Sequence, residues 1–183
     1  DFLGLAFGAA LALMFLILVT QFNSVGKPFI IFSTVLFCLI GINLGFGFFN
    51  ITLSAVMTGV GIFSLAGIVV RNGIILIEFI DELRQRGETL EEAVVNGGAT
   101  RITPVVLTAL ATILGLIPLA IGVNIDFATL FSDLDPKFFL GGDNVAFWGP
   151  LAWTIIFGLI TSTFLTLLVV PSMYIMSYRL RER

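Results

Sequence analysis

The chain has 183 residues, of which 58% are apolar and only 11% charged, with a formal net charge of −3. Soluble domains carry about 25% charged residues, so this chain has too few to cover a water-facing surface, and a mean hydropathy of +1.10 places it in a bilayer. One cysteine, no histidine and a slight acidic excess exclude an intrachain disulfide scaffold and histidine-based acid–base or metal chemistry, and they disfavour a nucleic-acid binder.

A helix needs about 20 apolar residues to cross a hydrocarbon core. Five such stretches appear, which predicts an all-α membrane bundle of five transmembrane helices. The first runs over 2–22. It is not a cleavable signal peptide, since no basic region precedes it and its apolar run is too long. No residue between Pro28 and Val70 is charged, and one helix of that length would reach roughly 64 Å, so the chain has to turn. Gly45, Gly47 and Asn50 are the expected turn, giving spans near 28–46 and 52–80. The fourth and fifth spans are expected at 104–123 and 148–177, all five forming one transmembrane domain, 1–183, of a chain that looks cut from a longer one.

Between spans, Thr89 followed by Glu92 reads as a capping box. Leu90, Ala93 and Val94 then fall on one face of a short amphipathic helix on the membrane surface. The 124–147 link mixes Asp126, Asp133, Asp135 and Asp143 with Phe127, Phe131, Phe138 and Phe139, and reads as an interfacial segment or an element of gating. Gly4 with Gly8 and Gly41 with Gly45 form two small-xxx-small pairs of the kind that let helices approach closely.

Five spans put the termini on opposite sides. Lys27, Arg84, Arg86, Arg101, Arg179, Arg181 and Arg183 fall on one side and Lys137 on the other, so the N-terminus is expected to be periplasmic and the C-terminus cytoplasmic.

Arg71 lies inside the third span. An arginine there costs about 2.5–3.5 kcal/mol on the mildest insertion scale, so a carboxylate or carbonyl partner is expected. On a helical projection Ser64, Gly67, Arg71 and Glu78 form a stripe that should face other protein. The plainest use of Arg71 and Glu78 is a water-bridged structural pair. In the fourth span Arg101, Thr108 and Gly115 recur every seven residues with Thr112 beside them, and the threonines' common use is a bond to a carbonyl of the preceding turn. Enzyme motifs are lacking: no HExxH, CxxC, Walker lysine loop or nucleotide fingerprint occurs, so no catalytic residue, cofactor site or metal site is expected.

The stretch from Gly67 through Arg71, Asn72 and Gly73 to Glu78-Phe79 resembles a span of the resistance-nodulation-cell division (RND) transporter superfamily. So does Arg101-Ile-Thr-Pro104-Val-Val-Leu-Thr108 with the downstream Gly115 and Pro118. The resemblance is specifically to the C-terminal membrane half of the hydrophobe and amphiphile efflux pumps, whose last five spans the chain resembles over its whole length. The resemblance implies proton-driven export of hydrophobic or amphiphilic compounds, with Arg71, Arg101 and Thr108 in a proton relay and Asn72 and Glu78 in support. It also implies, as partners, the N-terminal half of the same transporter with its aspartate pair, a homotrimer, a periplasmic adaptor, an outer-membrane channel and membrane lipids. The expected location is the inner membrane of a diderm bacterium. The pumps usually carry lysine where this chain has Arg71. A guanidinium does not give up its proton, so Arg71 would act as a fixed charge moving between partners. Two alternatives stay open: an RND relative in protein translocation or lipid export, and a structural membrane subunit without transport.

Overall fold

The computed structural model describes residues 2–125 and 138–181. The described residues form five helices: α1 Phe2–Phe22, α2 Gly26–Phe49, α3 Ala55–Gln85, α4 Leu90–Ile121 and α5 Asp143–Arg181. All five are long and apolar enough to cross a membrane. Short links and end-to-end contacts make neighbouring helices antiparallel. At one end Gln21 of α1 meets Glu78 of α3, and Lys27 of α2 meets Asp81 of α3.

The turn between α2 and α3 lies later than expected. Helix α2 continues through Gly45 and Gly47 and stops at Asn50, which adopts a left-handed conformation (φ 50°, ψ 41°) and donates its backbone N–H to the Phe46 carbonyl. Gly45 serves packing instead. A Cβ there would lie 2.3 Å from the Phe157 ring, and one at Gly41 would lie 2.2 Å from Thr161 Oγ1. These two glycines let α5 lie directly on α2. The Gly4 and Gly8 pair has no such neighbour within 4 Å.

The amphipathic segment after residue 89 is no separate helix. Its capping box forms as expected, with Thr89 Oγ1 accepting from the Glu92 N–H and the Glu92 carboxylate accepting from the Thr89 N–H. Ala93, Val94 and Gly97 are buried, and a Cβ at Gly97 would lie 2.8 Å from Ile80 of α3. The helix then continues through Pro104 into the membrane. Proline removes one backbone N–H and so frees one carbonyl, a loss that α4 tolerates here as membrane helices do.

Beyond α4, Gly122 caps the helix in a left-handed conformation, and two short strands pair antiparallel: β1 Val123–Ile125 and β2 Phe138–Leu140, with Val123 opposite Leu140. Asn124 Nδ2 closes the ribbon on the Gly141 carbonyl at 2.6 Å. Of the acidic and aromatic residues expected to shape this link, Asp126, Phe127, Phe131, Asp133 and Asp135 lie outside the described residues.

The core lies among α2, α3 and α5, with Ile31, Cys38, Leu65, Ile77 and Leu159 fully enclosed. Phe157 is its aromatic hub, stacked on Phe49 and Trp153 with both centroids 5.3 Å away. The most apolar windows of α2, α3 and α5 are half buried, whereas those of α1 and α4 are 6% and 17% buried. Within the described residues these two helices therefore flank the bundle and offer broad apolar faces.

Candidate functional site

The expected site residues meet where α3 and α4 run side by side. A groove of about 270 Å³ is lined by Arg71, Asn72 and Ile75 from α3 and by Arg101, Pro104, Val105 and Thr108 from α4. At a rise of 1.5 Å per residue, Arg71 lies roughly 21 Å from the end of α3 at Gln85, and Arg101 roughly 16 Å from the start of α4 at Leu90. The antiparallel pairing of the two helices thus brings together residues thirty positions apart in sequence.

Each side chain has a distinct setting. Arg71 is exposed, on the same face of α3 as the exposed Ser64, Gly67 and Glu78, so the predicted stripe exists and nothing among the described residues covers it. Asn72, its neighbour, is turned inward and buried. Arg101 is half-buried, with its guanidinium carbon 4.3 Å from the centroid of the Phe79 ring and its Nε enclosed without a hydrogen-bond partner. Thr108 donates to the Pro104 carbonyl at 3.0 Å and the Val105 carbonyl at 2.9 Å, while Thr112 donates to the Thr108 carbonyl at 2.8 Å. Both threonines thus bond back to carbonyls of the preceding turn, and Thr108 lines the groove.

Glu78 accepts from Gln21 Nε2 at 3.2 Å, two helical turns nearer the end of the bundle than Arg71, and makes no direct ion pair with Arg71 among the described residues. Glu78 lines no part of the groove. Arg71 has no ion pair among the described residues either, and Arg101 has only the face of a ring.

Phe79 belongs to the stretch that carries the family resemblance, but its contact with Arg101 was hidden from sequence reasoning, because nothing in its spacing distinguishes it from phenylalanines that only pack. The pairing of Gln21 with Glu78 was likewise invisible, since it joins residues 57 apart.

The arrangement is therefore a groove holding two guanidinium groups, a carboxamide and a threonine hydroxyl, with no carboxylate in its lining among the described residues. An arginine inside a span, as Arg71 is, calls for anionic company. A matching surface has to bring it.

Comparison with known proteins gives this geometry a context. A family model described as the AcrB/AcrD/AcrF family matches residues 3–125. The chain belongs to that family. As members of the RND superfamily of efflux transporters, its relatives cover nearly all of this sequence. The swarming motility protein SwrC of Bacillus subtilis is 38% identical over 181 residues, which is 99% of this chain and 16% of the relative. The cobalt-zinc-cadmium resistance protein CzcA of Cupriavidus metallidurans is 34% identical over 94% of this chain and 14% of its own length. The multidrug resistance protein MdtC of Erwinia tasmaniensis is 32% identical over 96% and 15%. A crystal structure of a heavy metal efflux pump superposes with a TM-score of 0.75 at 30% identity, covering 98% of this chain and 16% of that one. The chain thus spans about a sixth of the length of these AcrB/AcrD/AcrF-family relatives. It corresponds to a membrane module of an efflux transporter.

Proposed function

We propose that this module supplies the fixed positive charges of a proton-driven export machine, a transporter and not an enzyme, seated in the bacterial inner membrane. The observation that carries the reading is the α3–α4 groove, where Arg71 and Arg101 converge without a carboxylate. A second membrane half bearing an aspartate pair would close it. With the aspartates ionised, Arg71 is drawn across to them. Protonation cancels the attraction, and the guanidinium returns toward Thr108 and Asn72. Arginine stays charged throughout, so the carboxylates alone exchange protons. Moving one charge through 100 mV supplies about 2.3 kcal/mol, enough to bias a two-state bundle without locking it.

The rest of the assembly follows the same reading: a homotrimer with a periplasmic adaptor and an outer-membrane channel, the N-terminus of this module facing the periplasm and its C-terminus the cytoplasm. The basic bias at the Lys27–Arg84–Arg86 end supports that orientation. Hydrophobic or amphiphilic compounds are the proposed cargo. A divalent metal cation is the second reading, favoured by the superposition on a heavy metal efflux pump.

The test uses the full-length transporter in a host lacking its own pumps. Arg71→Ala should abolish export at unchanged membrane abundance, and Arg71→Lys should retain it. Export that survives Arg71→Ala removes Arg71 from the mechanism. Protection against dyes and detergents, against cobalt, zinc and cadmium salts, or against neither distinguishes the two cargo readings from a module without transport.

A further inference from the structure

At the opposite side of α3 from the groove, and at the end of the bundle, the α1–α2 link, the last turn of α3 and the last turns of α5 enclose a second cleft of about 330 Å³. Its lining is mostly polar and includes Ser24, Lys27, Asp81, Arg84, Ser177 and Tyr178. The one carboxylate is fully engaged. Lys27 Nζ lies 2.5 Å from Asp81 Oδ2, and the Tyr174 hydroxyl donates to Asp81 Oδ1 at 2.5 Å. Lys27 neutralises Asp81, which leaves Arg84, beside Tyr178 and Tyr174, as the charge of the cleft that has no counter-charge among the described residues. Its guanidinium carbon sits 3.9 Å over the Tyr178 ring, its Nε is enclosed without a hydrogen-bond partner, and it has no ion pair among the described residues.

Other donors point the same way. Helix α2 starts at Gly26 with no side-chain cap, so its first N–H groups stand open beside Ser24. Gly26 is close enough to α5 that a Cβ on it would lie 3.4 Å from Ser177 Oγ. A cation, hydroxyls and an uncapped helix start thus surround a space far larger than the roughly 30 Å³ share of one water.

We propose that this cleft binds the phosphate of an anionic phospholipid headgroup from the adjacent leaflet. The charge requires an anion, and the planar guanidinium with flanking hydroxyls suits a phosphate diester better than a spherical halide. The level in the membrane supplies the source. The cleft lies where helices end and where Tyr174 and Tyr178 sit, and basic pockets between helices at this level are the places where anionic headgroups dock.

The experiment is native mass spectrometry of the full-length transporter released from nanodiscs of equimolar phosphatidylglycerol and phosphatidylcholine. The unmodified protein should retain phosphatidylglycerol preferentially. Arg84→Gln should reduce that retention about tenfold, the loss of one charge-assisted contact, and Arg84→Lys should restore part of it. Arg86→Gln is the control, because Arg86 is exposed and paired with Glu82 outside the cleft, so its loss should change nothing. Equal retention of both lipids, or equal losses in the Arg84→Gln and Arg86→Gln proteins, overturns the site. Displacement of the bound lipid by millimolar inorganic phosphate overturns the lipid as its occupant.

Discussion

Arg101 rests its guanidinium on the ring of Phe79, 4.3 Å from carbon to centroid, so that a cation on α4 is oriented by an aromatic face on α3. Such contacts are worth about 0.5–1 kcal/mol when exposed and about 2 kcal/mol or more when desolvated. Arg101 is half-buried, between those limits. Phe79→Leu in the full-length transporter should therefore loosen Arg101 and reduce export, with membrane abundance nearly unchanged. Phe79→Trp should preserve export, since a larger π-face holds the cation at least as well. Transport assays on both variants decide it: equal activity in the leucine and tryptophan proteins would reduce Phe79 to a packing residue.

Gly41 and Gly45 are close-approach points, and their substitution should be costly in proportion to the clash. A Cβ at either position falls within 2.3 Å of α5 atoms, which forces the helices apart and strips contacts along the interface. Overpacking of this kind typically costs about 1–3 kcal/mol. Gly41→Ala and Gly45→Ala should each lower the detergent melting temperature of the full-length transporter, while Gly4→Ala, which meets nothing within 4 Å in this module, should do so less. Equal shifts at Gly4 and Gly41 would contradict the assigned interface.

The five spans were legible because bilayer thickness imposes a length that apolar runs report directly, and the Thr89–Glu92 box was legible because its chemistry is local. The groove was legible in part. An arginine within a span signals a buried need, and the seven-residue interval of Arg101 and Thr108 marks one helical face. Three features were not. Pro104 read as the start of a span, since proline favours first turns, yet α4 passes straight through it. Gly4 with Gly8 and Gly41 with Gly45 share one spacing, and only tertiary structure shows which pair has a neighbour. The Asp81 cluster joins side chains 54 and 93 positions apart, with no periodicity linking them.

That cluster should behave as one unit. Asp81 accepts from Lys27 and from Tyr174, tying α2, α3 and α5 together at one end of the bundle. Tyr174→Phe removes one bond to a charged group and should cost about 1.5–3 kcal/mol, toward the lower figure because Asp81 keeps some contact with solvent. Lys27→Met and Asp81→Asn should be strongly non-additive, the double variant being more stable than the sum of single losses predicts. A thermal-unfolding cycle in detergent measures this. A coupling energy near zero would show that the pair forms no functional link between the helices.

The start of α4 offers a test confined to one end of one helix. Thr89 Oγ1 accepts from the Glu92 N–H at 3.3 Å, satisfying one of the donors that every helix start leaves open. Thr89→Ala removes that acceptor and should destabilise the first turns by about 1 kcal/mol. Because Ala93, Val94 and Gly97 pack on α3 just beyond, fraying at residue 90 should propagate as far as that contact and stop there. Hydrogen exchange on the full-length transporter should then show faster exchange confined to roughly the first two turns of α4, with Thr89→Ser close to the unmodified protein, since a serine hydroxyl both accepts from the Glu92 N–H and donates to its carboxylate. Faster exchange reaching Arg101 would mean that the cap supports the groove itself, and export should then fall with it.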